Sequence, residues 1–287
     1  MSNLIGVHAL VWSGTWDEPA ARHAISSAAK AGFDLIEIPI LDPFGIDTAM
    51  TRRLLDEHGI RGACSMGLPA DADVSSEDPA VLANGKQLLA RAVEVTHEIG
   101  ADYLCGVLYS QLAKYPAPIT ATSRAHVVDA IRSLAHEAHA AGVTVSLEVV
   151  NRYESNVVNT AGQMLELLDE TGTDLAVHLD TYHVNIEEDG FVKPVEQCGD
   201  RLGYVHVGES HRGYLGTGTI DFDGFFGALV ASGYGGPITF ESFSSAVVHP
   251  ELSNQLAVWR NLWSDSDDLA RHAQEFITKG LATSGLR

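Results

Sequence analysis

Short apolar runs alternate with amphipathic stretches along the chain, and a glycine stands at most of the joints. The first apolar run, 4–11, predicts a strand. Asp17, Glu18 and Pro19 then supply an N-cap candidate and an early proline, which together open a helix. Ala21, Ala24, Ile25 and Ala28 follow at helical spacing. Gly32 ends that helix, because glycine accepts the left-handed backbone of a helix exit. The next apolar run, 33–38, predicts the second strand.

The same punctuation continues. Gly59, Gly100, Gly142, Gly172, Gly199 and Gly233 precede the runs 60–65, 101–107, 143–150, 174–180, 201–207 and 236–241. Helices are predicted over 48–58, 79–99, 120–141, 160–170, 186–198 and 222–232, and the tail 265–281 has helical periodicity. Strands that alternate with helices imply right-handed βαβ units and a parallel sheet. Eight such units predict an α/β fold, a closed (β/α)8 TIM barrel formed by 1–287 as a single domain. The tail is expected as an extra C-terminal helix that covers the barrel bottom or mediates assembly. Two longer insertions, 67–78 and 109–119, follow strands three and four and belong on the C-terminal rim, where such barrels build their sites. No GxGxxG or Walker pattern occurs, which weakens nucleotide and dinucleotide readings.

The charge narrows the ligands. A net charge of −20 and a pI near 4.9 argue against nucleic acid and against an anionic membrane surface. Cations and neutral small molecules stay open. Cys64, Cys105 and Cys198 form no CxxC pair, and their odd number fits a reducing compartment. The first residues carry no basic segment followed by a long apolar one, so neither signal peptide nor membrane span is expected, and the expected location is cytoplasmic.

Four late apolar runs each end on a metal-capable side chain: Glu148, Asp180, His206 and Glu241. The spacings of 32, 26 and 35 residues each match one strand-plus-helix unit. In a barrel these four converge on the central mouth. Three carboxylates and an imidazole there repel one another unless a divalent cation joins them. The oxygen-rich set favours Mn²⁺ or Mg²⁺, with Co²⁺ possible. Taken alone, a carboxylate after a strand is more often a solvated charge or a helix cap than a ligand. Four in register change that balance, and ionisable groups inside apolar runs need a partner.

Other polar groups admit two readings each. His183 is a support or substrate contact, or a loop histidine with a local hydrogen bond. Arg212 binds a hydroxyl or carbonyl oxygen, or pairs with Glu209 at the surface. His8, Trp12 and Trp16 floor or wall a pocket, or one tryptophan is core. Glu37 faces the mouth, or makes a structural salt bridge.

The blocks Glu148-Val-Val-Asn-Arg-Tyr-Glu154, Val177-His-Leu-Asp-Thr-Tyr-His183, His206-Val-Gly-Glu-Ser-His-Arg-Gly213 and Phe240-Glu-Ser242 together resemble the ketose 3-epimerases of the sugar phosphate isomerase/epimerase superfamily. The likeness runs through almost the whole chain, and the start His8-Ala-Leu-Val-Trp12 looks most like the L-ribulose/D-allulose branch. The resemblance implies metal ligands at Glu148, Asp180, His206 and Glu241, with Mn²⁺ the expected ion. It implies catalytic carboxylates at Glu148 and Glu241. Substrate contacts are implied at Glu154, His183 and Arg212, and at His8, Ser65 and Gly67 beside the variable N-terminal strands. The implied substrate is a free ketohexose or ketopentose, epimerised at C3 through a cis-enediolate, in a homotetramer or dimer. An aldose–ketose isomerase on the same barrel is the alternative. A metal-dependent endonuclease is disfavoured by the acidic charge, and a non-catalytic sugar-binding barrel would not need two opposed carboxylates.

Overall fold

The computed structural model describes residues 3–248 and 250–285. Eight parallel strands close into a barrel in the order of the sequence: β1 (Ile5–His8), β2 (Leu35–Pro39), β3 (Arg61–Leu68), β4 (Tyr103–Gln111), β5 (Thr144–Val149), β6 (Ala176–Asp180), β7 (Leu202–Val207) and β8 (Ile238–Phe240). β8 pairs back onto β1 through Ile5 opposite Ile238. Buried aliphatic faces explain why these runs become strands covered on both sides.

The outer helices form as their caps dictate. They are α1 (Glu18–Lys30), α2 (Thr48–His58), α3 (Pro79–Ile99), α4 (Ala121–Ala141), α5 (Ala161–Thr171), α6 (Thr181–Glu187), α7 (Val192–Cys198), α8 (Phe222–Ala231), α9 (Pro250–Gln255) and α10 (Ser266–Ser284). Asp17, Asp47, Thr120, Thr160, Asp221 and Asp265 each accept a backbone N–H of the first turn they cap. Gly59, Gly100, Gly142 and Gly172 end their helices in the left-handed conformation.

Several boundaries differ from the sequence reading. The first strand stops at His8, whose Nδ1 accepts the Leu10 N–H at 3.2 Å and turns Ala9–Val11 into a 3₁₀ turn. Strands three and four run on into their insertions, and after a register shift Leu68 pairs with Gln111. Gly106 makes that approach possible. Its φ is 113°, and a Cβ there would lie 2.3 Å from the Met66 carbonyl oxygen. The expected helix over 186–198 is two helices, α6 and α7, separated by 188–191. The short α9 had no periodic signal.

The C-terminal helix α10 buries Leu269, Ala270, Ala273 and Ile277. It packs on α8, β1 and β8, with Phe276 edge-on to Phe222 at 5.1 Å. It therefore lies along the barrel's flank and follows β8 as the eighth outer helix, instead of crossing the bottom.

Candidate active site and metal centre

Alternation along a strand sends every second side chain inward. In β5 to β8 those residues include Glu148, His178, Asp180, Tyr204, His206, Thr239 and, just past β8, Glu241. Tyr109 steadies the first of these strand ends by donating to the Glu148 carbonyl at 2.7 Å. Asp180 pairs with His206 across β6 and β7 and also caps α6, since it accepts the Tyr182 N–H at 2.8 Å.

His206 is the centre of this group. Its Nε2 faces the Glu37 carboxylate at 2.7 Å, so that nitrogen carries a proton. Its Nδ1 is buried without a hydrogen-bond partner and faces Glu241 at 3.4 Å and Glu148 at 3.8 Å. Glu148, Asp180 and His206 offer ligand atoms within 4.8 Å of one another. An orphaned, inward-facing imidazole nitrogen among carboxylates is what a cation-binding centre requires, and the donors present fit a hard or borderline divalent ion.

The electrostatics agree. Burial raises the Glu148 carboxyl well above its usual range, and Glu241 and Asp180 add to that against the pull of His206. Burial likewise raises Glu241, to about 7, although Arg212 and His206 oppose it. Burial pulls His206 down, but the charges of Glu37 and Glu241 win and leave it at about 10. Without a cation, the cluster holds its excess acidity by keeping protons. A deeper group of Cys105, His178 and His206 also falls within 4.8 Å. Burial pushes the Cys105 thiol well above its usual range, so the sulfur keeps its proton, and the upper, oxygen-rich group is the better cation site.

A cavity of about 250 Å³ opens above this cluster. His8, Ser65, Gly67, Glu154, His183 and Arg212 all line it, together with Glu148, His206 and Glu241. Asp180 is fully buried and is not on its wall. His183 Nδ1 accepts the Asn151 backbone N–H at 3.2 Å, so its Nε2 carries the proton. That nitrogen lies 3.6 Å from Glu148, 3.7 Å from Asp180 and 3.9 Å from Glu154. Asn151 also donates to Glu154 at 2.8 Å, which fixes the carboxylate at the cavity edge. Burial lowers His8 to about 4, so it is a neutral donor near Ser65 Oγ, at 3.2 Å.

Arg212 does not pair with the Glu209 side chain. Its Nη1 reaches Asp180 at 3.0 Å and Glu241 at 2.5 Å, and its guanidinium lies 3.9 Å over the Tyr182 ring. Glu209 is buried, and its carboxylate accepts the N–H groups of Ser210, Gly216 and Thr219. It shapes the loop that carries Arg212 at a left-handed φ of 61°. Trp12 and Trp16 do not line the cavity. Their indole N–H groups donate to Asp267 at 2.7 Å and to Thr51 at 3.0 Å. Leu10 and Phe243 supply the wall instead. Tyr182, Phe243, Asn151 and Tyr204 were missed by the sequence reading. Only Tyr204, a polar ring inside an apolar run, left a readable signal.

A barrel with this acidic, imidazole-bearing mouth is of a recognisable class: a family model described as a xylose isomerase-like TIM barrel matches residues 25–279. The chain belongs, within that class, to the ketose 3-epimerases, which are carbohydrate isomerases. It is 56% identical to an L-ribulose 3-epimerase of Methylomonas sp. (strain DH-1), over 95% of this chain and 96% of that protein. It is 51% identical to a ketose 3-epimerase of Arthrobacter globiformis, over 95% of both. A crystal structure of the Methylomonas sp. D-allulose 3-epimerase in complex with D-allulose superimposes with a TM-score of 0.95, at 55% identity and over 97% of both chains. Among the described residues, no helix is long and apolar enough to cross a membrane.

Proposed function

We propose that the chain interconverts free ketoses of the L-ribulose/L-xylulose and D-fructose/D-allulose type at C3, with Glu148 and Glu241 as the two proton-transfer groups. The observation that carries this reading is their placement. Glu148 stands near the end of β5 and Glu241 just past β8, and both carboxylates face the same partnerless nitrogen of His206. The donors Glu148, Asp180, His206 and Glu241 would hold the cation, Mn²⁺ by their oxygen-rich chemistry. A bound divalent cation supplies the Lewis acidity that makes the hydrogen beside a C2 carbonyl acidic enough to remove.

The chain's own residues do the rest. One glutamate takes the C3 proton from one face of the sugar. The other returns a proton to the opposite face, and C3 inverts. A single carboxylate cannot reach both faces, and the roles exchange with the configuration of the substrate. The Nε2–H of His183 and the guanidinium of Arg212 donate to oxygens at the O1–O2 end, while Glu154 and Asn151 hold His183 in its donor tautomer. His8, Ser65 and Gly67 face the remaining carbons, and the apolar wall around Leu10 and Phe243 limits water. The resemblance also carries a homo-oligomer, a tetramer or dimer, which light scattering after size exclusion reads directly.

The deciding experiment is NMR of the products formed from L-ribulose and D-fructose in D₂O with Mn²⁺. Deuterium at C3 of an epimeric ketose is the expected result. An aldose labelled at C2 would replace this reading with an aldose–ketose isomerase.

A further inference from the structure

Glu37 is used by none of the steps above, yet it contacts His8 and His206, which line the cavity, and the buried Tyr204. It sits in β2 inside the apolar run Leu35-Ile-Glu-Ile38 and is fully buried. Its Oε2 accepts from His206 Nε2 at 2.7 Å and from the Tyr204 hydroxyl at 2.8 Å. Its Oε1 lies 3.4 Å from His8 Nε2. No lysine or arginine pairs with it among the described residues. A carboxylate taken out of water without a lysine or arginine partner is costly, and here the hydrogen bonds from His206 and Tyr204 offset that cost.

We propose that Glu37 is a positioning residue for the cation site: it fixes His206 with Nε2 protonated and the Nδ1 lone pair turned toward Glu148 and Glu241, and its buried charge strengthens that nitrogen as a ligand. This rests on the metal-centre reading above. The geometry leaves His206 little choice. With Nε2 bound to a carboxylate, the neutral ring must carry its proton there, and the other nitrogen is left as the acceptor. A neighbouring anion on the far ring nitrogen raises the basicity of a ligating imidazole. The second carboxylate oxygen makes no hydrogen bond but faces His8 Nε2 at 3.4 Å. His8 Nδ1 is occupied by the Leu10 N–H, so its Nε2–H points to Glu37 and Ser65 at the cavity wall. One carboxylate thereby hydrogen-bonds His206 and places its charge beside His8.

The test is Mn²⁺ binding followed by the free-ion signal in electron paramagnetic resonance, on the intact chain and on Glu37→Gln. The amide keeps the size of the side chain but removes its charge. The dissociation constant is expected to rise on the order of 10–100-fold. The stabilisation that Mn²⁺ gives to thermal unfolding, taken against each protein's own cation-free midpoint, should shrink in parallel. Glu37→Asp keeps the charge one methylene short of His206, and it carries the same test if the amide variant does not fold. There a rise of more than threefold is expected. Binding within twofold of the unaltered chain, in whichever variant folds, overturns the proposal. The two readings fail differently: absence of Mn²⁺ binding by the unaltered chain sinks the metal-centre reading, whereas equal binding by chain and variant sinks only the role of Glu37.

Discussion

Arg212 concentrates the chemistry of the rim in one side chain. Its guanidinium donates through Nη1 to Asp180 and Glu241 and lies over the Tyr182 ring at 3.9 Å and the Phe243 ring at 5.1 Å. Lysine would keep the charge but lose the planar group that lies over the two rings. A hydrogen bond to a charged group contributes about 1.5–3 kcal/mol, and a desolvated cation–π contact about 2 kcal/mol. Arg212→Lys is therefore expected to lower kcat/KM by at least about tenfold, with most of the change in KM, read from steady-state kinetics. The two carboxylates proposed for proton transfer give the complementary pattern. Glu148→Gln and Glu241→Gln should each remove turnover of both epimers, measured by polarimetry. Retained epimerisation in both variants would sink the two-carboxylate scheme. At this scale the sequence was informative where an ionisable group interrupts an apolar run. Glu148, Asp180, His206 and Glu241 announced themselves that way, and so did Glu37 in its ambiguity. The residue pattern left Arg212 between two readings, because whether an arginine pairs with Glu209 or with Asp180 depends on the path of a loop. That path is set by backbone amides folding around Glu209, which leaves no side-chain pattern to read.

The elements were legible wherever local chemistry decides them. Helix starts at Asp17, Asp47, Thr120 and Thr160 and exits at Gly59, Gly100, Gly142 and Gly172 depend on caps within a turn. Strand ends at the rim depend on neighbours far along the chain. β4 continues to Gln111 only because β3 beside it continues to Leu68, and no local pattern records that pairing. The two kinds of glycine differ accordingly in what substitution does. At Gly142 the φ is 70° and an added Cβ meets nothing within 4 Å, so Gly142→Ala is expected to cost only about 1 kcal/mol, for the left-handed backbone. At Gly106 the added Cβ would also strike the Met66 carbonyl, at 2.3 Å. Gly106→Ala should destabilise by on the order of 2–4 kcal/mol and disturb the cavity wall, since Gly106 and Val107 line it. Urea denaturation of the two variants side by side measures the contrast. Equal losses would show that the β3–β4 approach is looser than the backbone distance implies.

The whole molecule is acidic, with a formal net charge of −20, and its densest buried acidity is at the barrel mouth. Cation loading and pH are linked through that cluster. In the cation-free chain Glu148 is raised well above its usual range, Glu241 to about 7 and His206 to about 10. Each therefore holds a proton at pH values below its raised pKa. A bound cation needs the carboxylates and the His206 Nδ1 unprotonated, so loading releases those protons. The sign follows directly: cation affinity falls as pH falls, and the number of protons released declines as pH rises through 7 and then toward 10. Isothermal titration of Mn²⁺ in buffers of different ionisation heat at pH 7 should report net release of at least about one proton per ion. The same binding stabilises the fold by mass action, by about 2.7 kcal/mol at a hundredfold excess over Kd. Chelation should therefore lower the thermal midpoint more at pH 8 than at pH 6, because affinity is higher at the higher pH. An equal shift at both values, with no proton release, would mean that the cluster is already ionised when the cation arrives. The burial of Glu148 and Glu241 would then be offset by the fixed charges of Arg212 and His206 alone.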